Sequence, residues 1–171
     1  MTLLLDCAIL CLVIYLADFL ILTDTRQQKE KHIIQEFDKQ KILHIQTKLD
    51  SADYMAVRFK DGQMVKDYTT LIDTKNGLLE VAGNLCHTAE HNRVVREIEL
   101  ASKLGCKTFV FLIGQDGISN AEDIISWRSP HTRVAGKTLL KVMNTFSKHH
   151  NCKFIIVPKN EMGSKIIQLL S

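Results

Sequence analysis

Three short, almost unbroken apolar runs constrain this chain more than anything else in it: Phe19–Thr23 (FLILT), Lys107–Ile113 (KTFVFLI) and Lys153–Val157 (KFIIV). Side chains alternate across a strand, so a continuous apolar run suits a strand covered on both faces. Segments with helical spacing lie between and after these runs. They are Gln27–Lys41 with Ile33, Ile34 and Phe37, then Leu78–Cys86, Glu90–Leu104, Ala121–Trp127, Ala135–His149 and Glu161–Leu170. Ile42–Leu49 alternates like a strand. Tyr54–Phe59 and Asp67–Asp73 read as a hairpin through Lys60-Asp61-Gly62-Gln63, since Asp-Gly favours a tight turn. Gly105 stands where a helix end wants a left-handed residue. The order is strand, helix, strand meander, two helices, then strand–helix–strand–helix. Over 171 residues it predicts one α/β domain, a mixed sheet flanked by helices.

Composition removes several classes. With 46% hydrophobic and 24% charged residues, 2 Pro and 8 Gly, the chain is neither collagen-like, low-complexity nor wholly disordered. A net charge of +3 is too small to name a nucleic-acid partner. That average hides an uneven distribution. Residues 1–23 carry no Lys or Arg and two acids, Asp6 and Asp18, so the rest has 22 basic against 17 acidic residues, a net of +5. Leu3–Leu22 is nearly all apolar, but the two acids and the lack of a positive start argue against a signal peptide or a spanning helix. The expectation is an apolar extension over residues 1–18 before a domain over 19–171, with membrane association through the extension as the minority reading. The five cysteines are irregularly spaced without CxxC, which points to a reducing, cytoplasmic setting rather than a disulfide framework.

Acids collect at strand ends. Asp24 follows FLILT, Asp53 opens Tyr54–Phe59, and Asp73 closes TTLID with Lys75 two residues on. The strand period puts Asp73 and Lys75 on one face. A carboxylate there can join a second acid in binding a hard cation such as Mg²⁺, and the lysine can stabilise developing phosphate charge. The same residues also fit plain roles: turn acids, a helix cap and a solvated lysine.

The motifs carry a resemblance as well. Leu22-Thr23-Asp24-Thr25-Arg26-Gln27 resembles the I-D-x-R-E opening strand of XPF-type excision-repair nuclease domains. Leu49-Asp50-Ser51-Ala52-Asp53-Tyr54 is similar to their L-x-x-G-D-Y motif. Leu71-Ile72-Asp73-Thr74-Lys75 with Glu80-Val81-Ala82-Gly83-Asn84-Leu85 is similar to their V-E-R-K…D-L-x-x-S-L motif. The match covers about residues 19–113; the remainder fits more loosely the tail of bacterial and phage members. The family belongs to the PD-(D/E)xK nucleases, with a restriction-endonuclease-like fold. The resemblance implies a Mg²⁺- or Mn²⁺-dependent endonuclease acting on branched, flap or single-strand/duplex junction DNA. It implies Asp24, Asp53 and Asp73 as metal-binding acids, Lys75 as the catalytic lysine, Arg26 as a phosphate- or acid-orienting group and Glu80 as an auxiliary acid. Branch recognition would call for a homodimer or a partner protein. The departures are Gln27 for Glu, Ala52 for Gly, Asp73 for Glu and Thr74 for Arg. They leave a second reading: a non-cleaving module of the same fold that binds DNA structures or a partner.

Basic pairs Arg93/Arg96 and Lys137/Lys141 share helix faces and suit either DNA phosphates or ordinary solvation. His87-Thr88-Ala89-Glu90-His91 matches a zinc-protease pattern, but a helix boundary expected between Cys86 and Glu90 separates its histidines. The run Lys148–Lys153, with His149, His150 and Cys152, could bind a metal but reads first as a solvated helix end.

Overall fold

The computed structural model describes residues 19–26, 31–61 and 63–171. The expected apolar extension (1–18), Gln27 with the start of the first expected helix, and Gly62 lie outside the described residues. The strands are β1 (Phe19–Asp24), β2 (His44–Thr47), β3 (Tyr54–Lys60), β4 (Gln63–Lys75), β5 (Thr108–Gly114) and β6 (Cys152–Val157). The helices are α1 (Lys31–Lys39), α2 (Leu78–Cys86), α3 (Thr88–Lys103), α4 (Ala121–Ser126), α5 (Gly136–His149) and α6 (Met162–Leu170).

The sheet order is β2-β1-β3-β4-β5-β6. Only β3 runs against its neighbours: β1/β2, β4/β5 and β5/β6 are parallel, while β1/β3 and β3/β4 are antiparallel. The expected mixed sheet is therefore present, and its alternation sorts two cores. Phe109, Phe111 and Ile113 of β5 face the layer of α2, α3 and α5, among Val81, Ile98, Leu139 and Phe146. Val110 and Leu112 face the other layer, with Ile33 and Phe37 of α1 and Ile166 and Leu170 of α6. The apolar runs are buried on both faces because helices cover both faces.

Two strands depart from expectation. β2 is confined to His44–Thr47 because Ile42 is held back by α1, its N–H donating to Phe37 O at 2.9 Å, and because Leu49 turns into the end of β1. β4 is longer than Asp67–Asp73. Its first half is an arm with exposed Met64 and Val65 that pairs only with β3; a register irregularity at Met55/Ala56 follows, and from Thr70 it also pairs with β5. Gly105 adopts φ 97, the left-handed conformation expected after α3. Among the described residues no helix is long and apolar enough to cross a membrane.

Candidate active site

One end of the sheet gathers the acids. β1 and β4 finish there and the intervening antiparallel β3 begins there, so Asp24, Asp53 and Asp73 occupy adjacent strand ends. The backbone ties the three together: Asp24 N–H donates to Asp53 O at 2.8 Å, and Asp53 N–H donates to Ile72 O at 2.9 Å. Neighbouring strands lie about 4.8 Å apart, which places the three acids side by side along this edge.

Asp24 is fully buried yet strongly satisfied. Oδ1 accepts from Arg26 N–H and Arg26 Nε, both at 2.7 Å; Oδ2 accepts from Arg26 Nη2 at 2.8 Å and Leu49 N–H at 2.9 Å. Burial alone would push this carboxyl up, but the Arg26 guanidinium and the two amides override it and hold the pKa at about 2. Arg26 is two-thirds exposed at the mouth of the site, where Asp24, Glu97 and Asp53 support its charge.

Asp73 sits in the opposite situation. It is buried with Thr74 and Lys75, and its Oδ2 accepts a short hydrogen bond from Lys75 Nζ. The two share a face, as the strand period requires. Burial raises the Asp73 pKa well above the carboxylate range; Asp53 and Glu97 add to the rise, and Lys75 only partly opposes it. Burial disfavours the Lys75 charge, but Asp73, Asp53 and Glu80 outweigh it and raise that pKa. Lys75 also stands 5.7 Å from the centre of the Phe111 ring. Acids outnumber cations around the pair: this sustains the Lys75 charge and adds to the rise that burial imposes on Asp73.

Thr74, where the family pattern has Arg, gives Asp53 two donors: its N–H at 2.7 Å and its Oγ1 at 2.8 Å, both to Oδ2. Ala52, where the pattern has Gly, is left-handed with φ 63. Glu80 Oε2 accepts from Asn76 N–H at 2.8 Å and Oε1 lies 4.0 Å from Lys75 Nζ. Gly77, at φ 107, leaves room for Gln115, whose Oε1 accepts from Leu78 N–H at 3.1 Å; a Cβ on Gly77 would stand 2.8 Å from that oxygen. Gln115 and Glu97 are the site residues that motif reading missed. Glu97 lies four residues after Arg93 on α3, a spacing that marks a shared helix face but not what the face meets.

The basic pairs divide. Arg93 bonds Glu90 at 2.9 Å and lies 3.6 Å from Glu97. The Glu90 bond, with Glu97 and Asp73 behind it, raises the Arg93 pKa against the opposing cost of burial. Arg96, Lys137 and Lys141 are exposed on α3 and α5. His87 is the junction between α2 and α3, whereas His91 packs inside α3 against Phe146, so the two histidines share no helix face.

Among the described residues no three His, Cys, Asp or Glu side chains stand together as a preassembled metal site. The donor chemistry still fits a hard cation. Mg²⁺ typically takes one or two carboxylates and fills its remaining positions with water and substrate oxygens. Asp53 and Asp73 make such a pair, and Asp53 and Glu97 already penalise the Asp73 charge in the absence of a cation.

Comparison with solved structures matches XPF from Aeropyrum pernix, at 12% sequence identity and a TM-score of 0.59. The chain has an XPF-like fold. The match covers 87% of this chain and 64% of that one, so the chain spans less than two-thirds of the length of the structure it matches. No family model and no curated protein matches the sequence. At this identity the likeness speaks for the mixed sheet and its flanking helices alone.

Proposed function

We propose that this chain is an endonuclease domain that hydrolyses DNA phosphodiester bonds with Mg²⁺ or Mn²⁺, on branched, flap or single-strand/duplex junction DNA. The observation that carries the reading is the convergence of Asp53, Asp73 and Lys75 at one sheet end of an XPF-like fold. Asp53 and Asp73 would hold the cation, with Thr74 orienting Asp53. Asp24 is the third acid of the set, and it reaches a cation only by exchanging Arg26 for it. When bound, the cation supplies Lewis-acid stabilisation of the phosphoryl oxygens and makes water a better nucleophile.

The chain's own residues account for the rest. Lys75, held charged by the acids around it, would act as a fixed donor for charge developing on the phosphate. Arg26 at the mouth, with Arg96, Lys137 and Lys141 on the exposed helix faces, would meet backbone phosphates, and binding would weaken as salt rises. Arg93, already paired with Glu90 and Glu97, would hold α3 rather than DNA. Recognition of a branch by one small domain would draw on a second copy or a partner protein.

A second reading is a non-cleaving module that binds DNA structures or a partner. It is favoured by one observation: Asp73 is already neutralised by Lys75. Nicking assays on flap, splayed-arm and linear duplex DNA, with Mg²⁺, Mn²⁺ or chelator, separate the two. Cation-dependent cleavage that disappears in Lys75→Ala supports the enzyme. Junction binding with no cleavage above the Lys75→Ala background supports the module.

A further inference from the structure

Glu97 belongs to no motif considered above, yet it grips the turn that presents Asp53. Its Oε1 accepts from Ala52 N–H at 3.2 Å, and its backbone carbonyl accepts from Ser51 Oγ at 3.2 Å. Both turn residues are buried. Ala52 adopts φ 63, a left-handed conformation that is unfavourable for an alanine. A buried turn strained in this way needs outside contacts to hold it. Here α3 supplies two, immediately before the residue whose carboxylate bonds Thr74.

The grip is itself anchored. Glu97 Oε2 lies 3.6 Å from Arg93 Nη1, and Arg93 Nε bonds Glu90 Oε2 at 2.9 Å. Residues 90, 93 and 97 recur at one helix face, so one side of α3 carries a chain of charge-assisted contacts ending on the Ala52 amide. We infer that Glu97 is a positioning residue: it clamps the Ser51–Ala52 turn and thereby sets the direction of the Asp53 carboxylate. The consequence for cation binding rests on the reading of Asp53 as a ligand; the clamp itself does not.

The Thr74 amide reports on the clamp, because it donates to Asp53 Oδ2 at 2.7 Å. In ¹⁵N spectra of the protein without added cation, Glu97→Ala should shift the Thr74 and Ala52 amides and speed their hydrogen exchange. Glu97→Gln, which keeps an acceptor for Ala52, should leave both near wild type. Unchanged Thr74 and Ala52 amides in Glu97→Ala overturn the inference. Adding Ala52→Gly to Glu97→Ala removes the left-handed strain. The double variant should recover part of the Thr74 signal, or fold where Glu97→Ala alone does not. No recovery, or no folding, overturns the strain argument.

Mn²⁺ calorimetry then separates clamp from site. If Asp53 is a ligand, Asp53→Asn abolishes binding, Glu97→Ala weakens it about 10–100-fold, the usual effect of removing an outer-shell partner, and Glu97→Gln restores most of it. Wild-type binding that Asp53→Asn leaves intact means the cation reading has failed, and the Thr74 amide alone decides the clamp. Binding lost in Asp53→Asn but unchanged in Glu97→Ala overturns the role of the clamp at the site.

Discussion

Asp24 and Asp73 end neighbouring parts of the same sheet edge, both are buried, and each has a cation two residues on. Their surroundings nevertheless push them in opposite directions. Asp24 meets four donors and an arginine that opens to solvent, and its pKa falls to about 2. Asp73 meets one buried lysine and two further acids, and its pKa rises. Sequence position does not decide what an acid does; the balance of donors and like charges around it does. The Asp24 corner is a finished structural joint. The Asp73 corner keeps two further acids beside a buried acid–lysine pair, the feature on which the proposed cation site rests.

The comparison can be broken most sharply by function. Asp73→Ala and Lys75→Ala should each lower cleavage about 10²–10³-fold or more, the scale for losing an electrostatic group at a reacting centre. Single-turnover rates at matched folded fraction check this, and equal rates in wild type and both variants would remove the Asp73 corner from the chemistry.

Stability sharpens it next. Lys75→Ala strands a buried acid and should destabilise the fold by about 3–5 kcal/mol, whereas Asp73→Leu with Lys75→Met replaces the buried pair by apolar contacts and should recover most of that loss without restoring cleavage. Urea unfolding of the single and double variants measures both. A double variant no more stable than the single would show that the pair, rather than the stranded charge, holds the strand end.

At the other corner, the Asp24 pKa is lowered from 3.8 to about 2 on folding. The stability this provides is present above the unfolded value and is lost as pH falls through the folded one. It amounts to about 2 kcal/mol, leaving between roughly pH 4 and pH 2. Asp24→Asn should be less stable at neutral pH and show a flatter acid limb. An unchanged acid limb would mean that Arg26 and Leu49 do not hold this carboxylate in solution.

The smallest effect is expected at Ala52→Gly. Relief of about 1 kcal/mol of left-handed strain should raise Tm by about 2–4 °C. A lowered Tm would show that alanine is accommodated there without strain.

Much of this was legible because it depends on short-range rules. Asp73 and Lys75 share a face because side chains alternate on a strand. The apolar run FLILT had to end somewhere polar, and Asp24 is where it ends. Leu78–Cys86 matches α2 at both bounds, and Gly105 is left-handed as its place after a helix required. What was missed depends on contacts distant in sequence. Glu97 meets Ala52 across 45 positions and Gln115 caps α2 across 37, and no periodicity reports such pairings. The arm of β4 was missed for a related reason. Met64 and Val65 are adjacent, exposed apolar residues, so alternation fails over a stretch that still pairs with β3. The difference between Asp24 and Asp73 was equally out of reach, since each reads as an acid at a strand end with a cation two residues on.

The most direct test of that difference is single-turnover cleavage of a flap substrate with Mn²⁺ by wild type, Asp24→Asn and Asp73→Asn. The account predicts cation-dependent cleavage by wild type, a partial loss in Asp24→Asn that tracks its reduced stability, and background rates in Asp73→Asn. Asp73→Asn cleaving as well as wild type, or Asp24→Asn falling to background while fully folded, would contradict it.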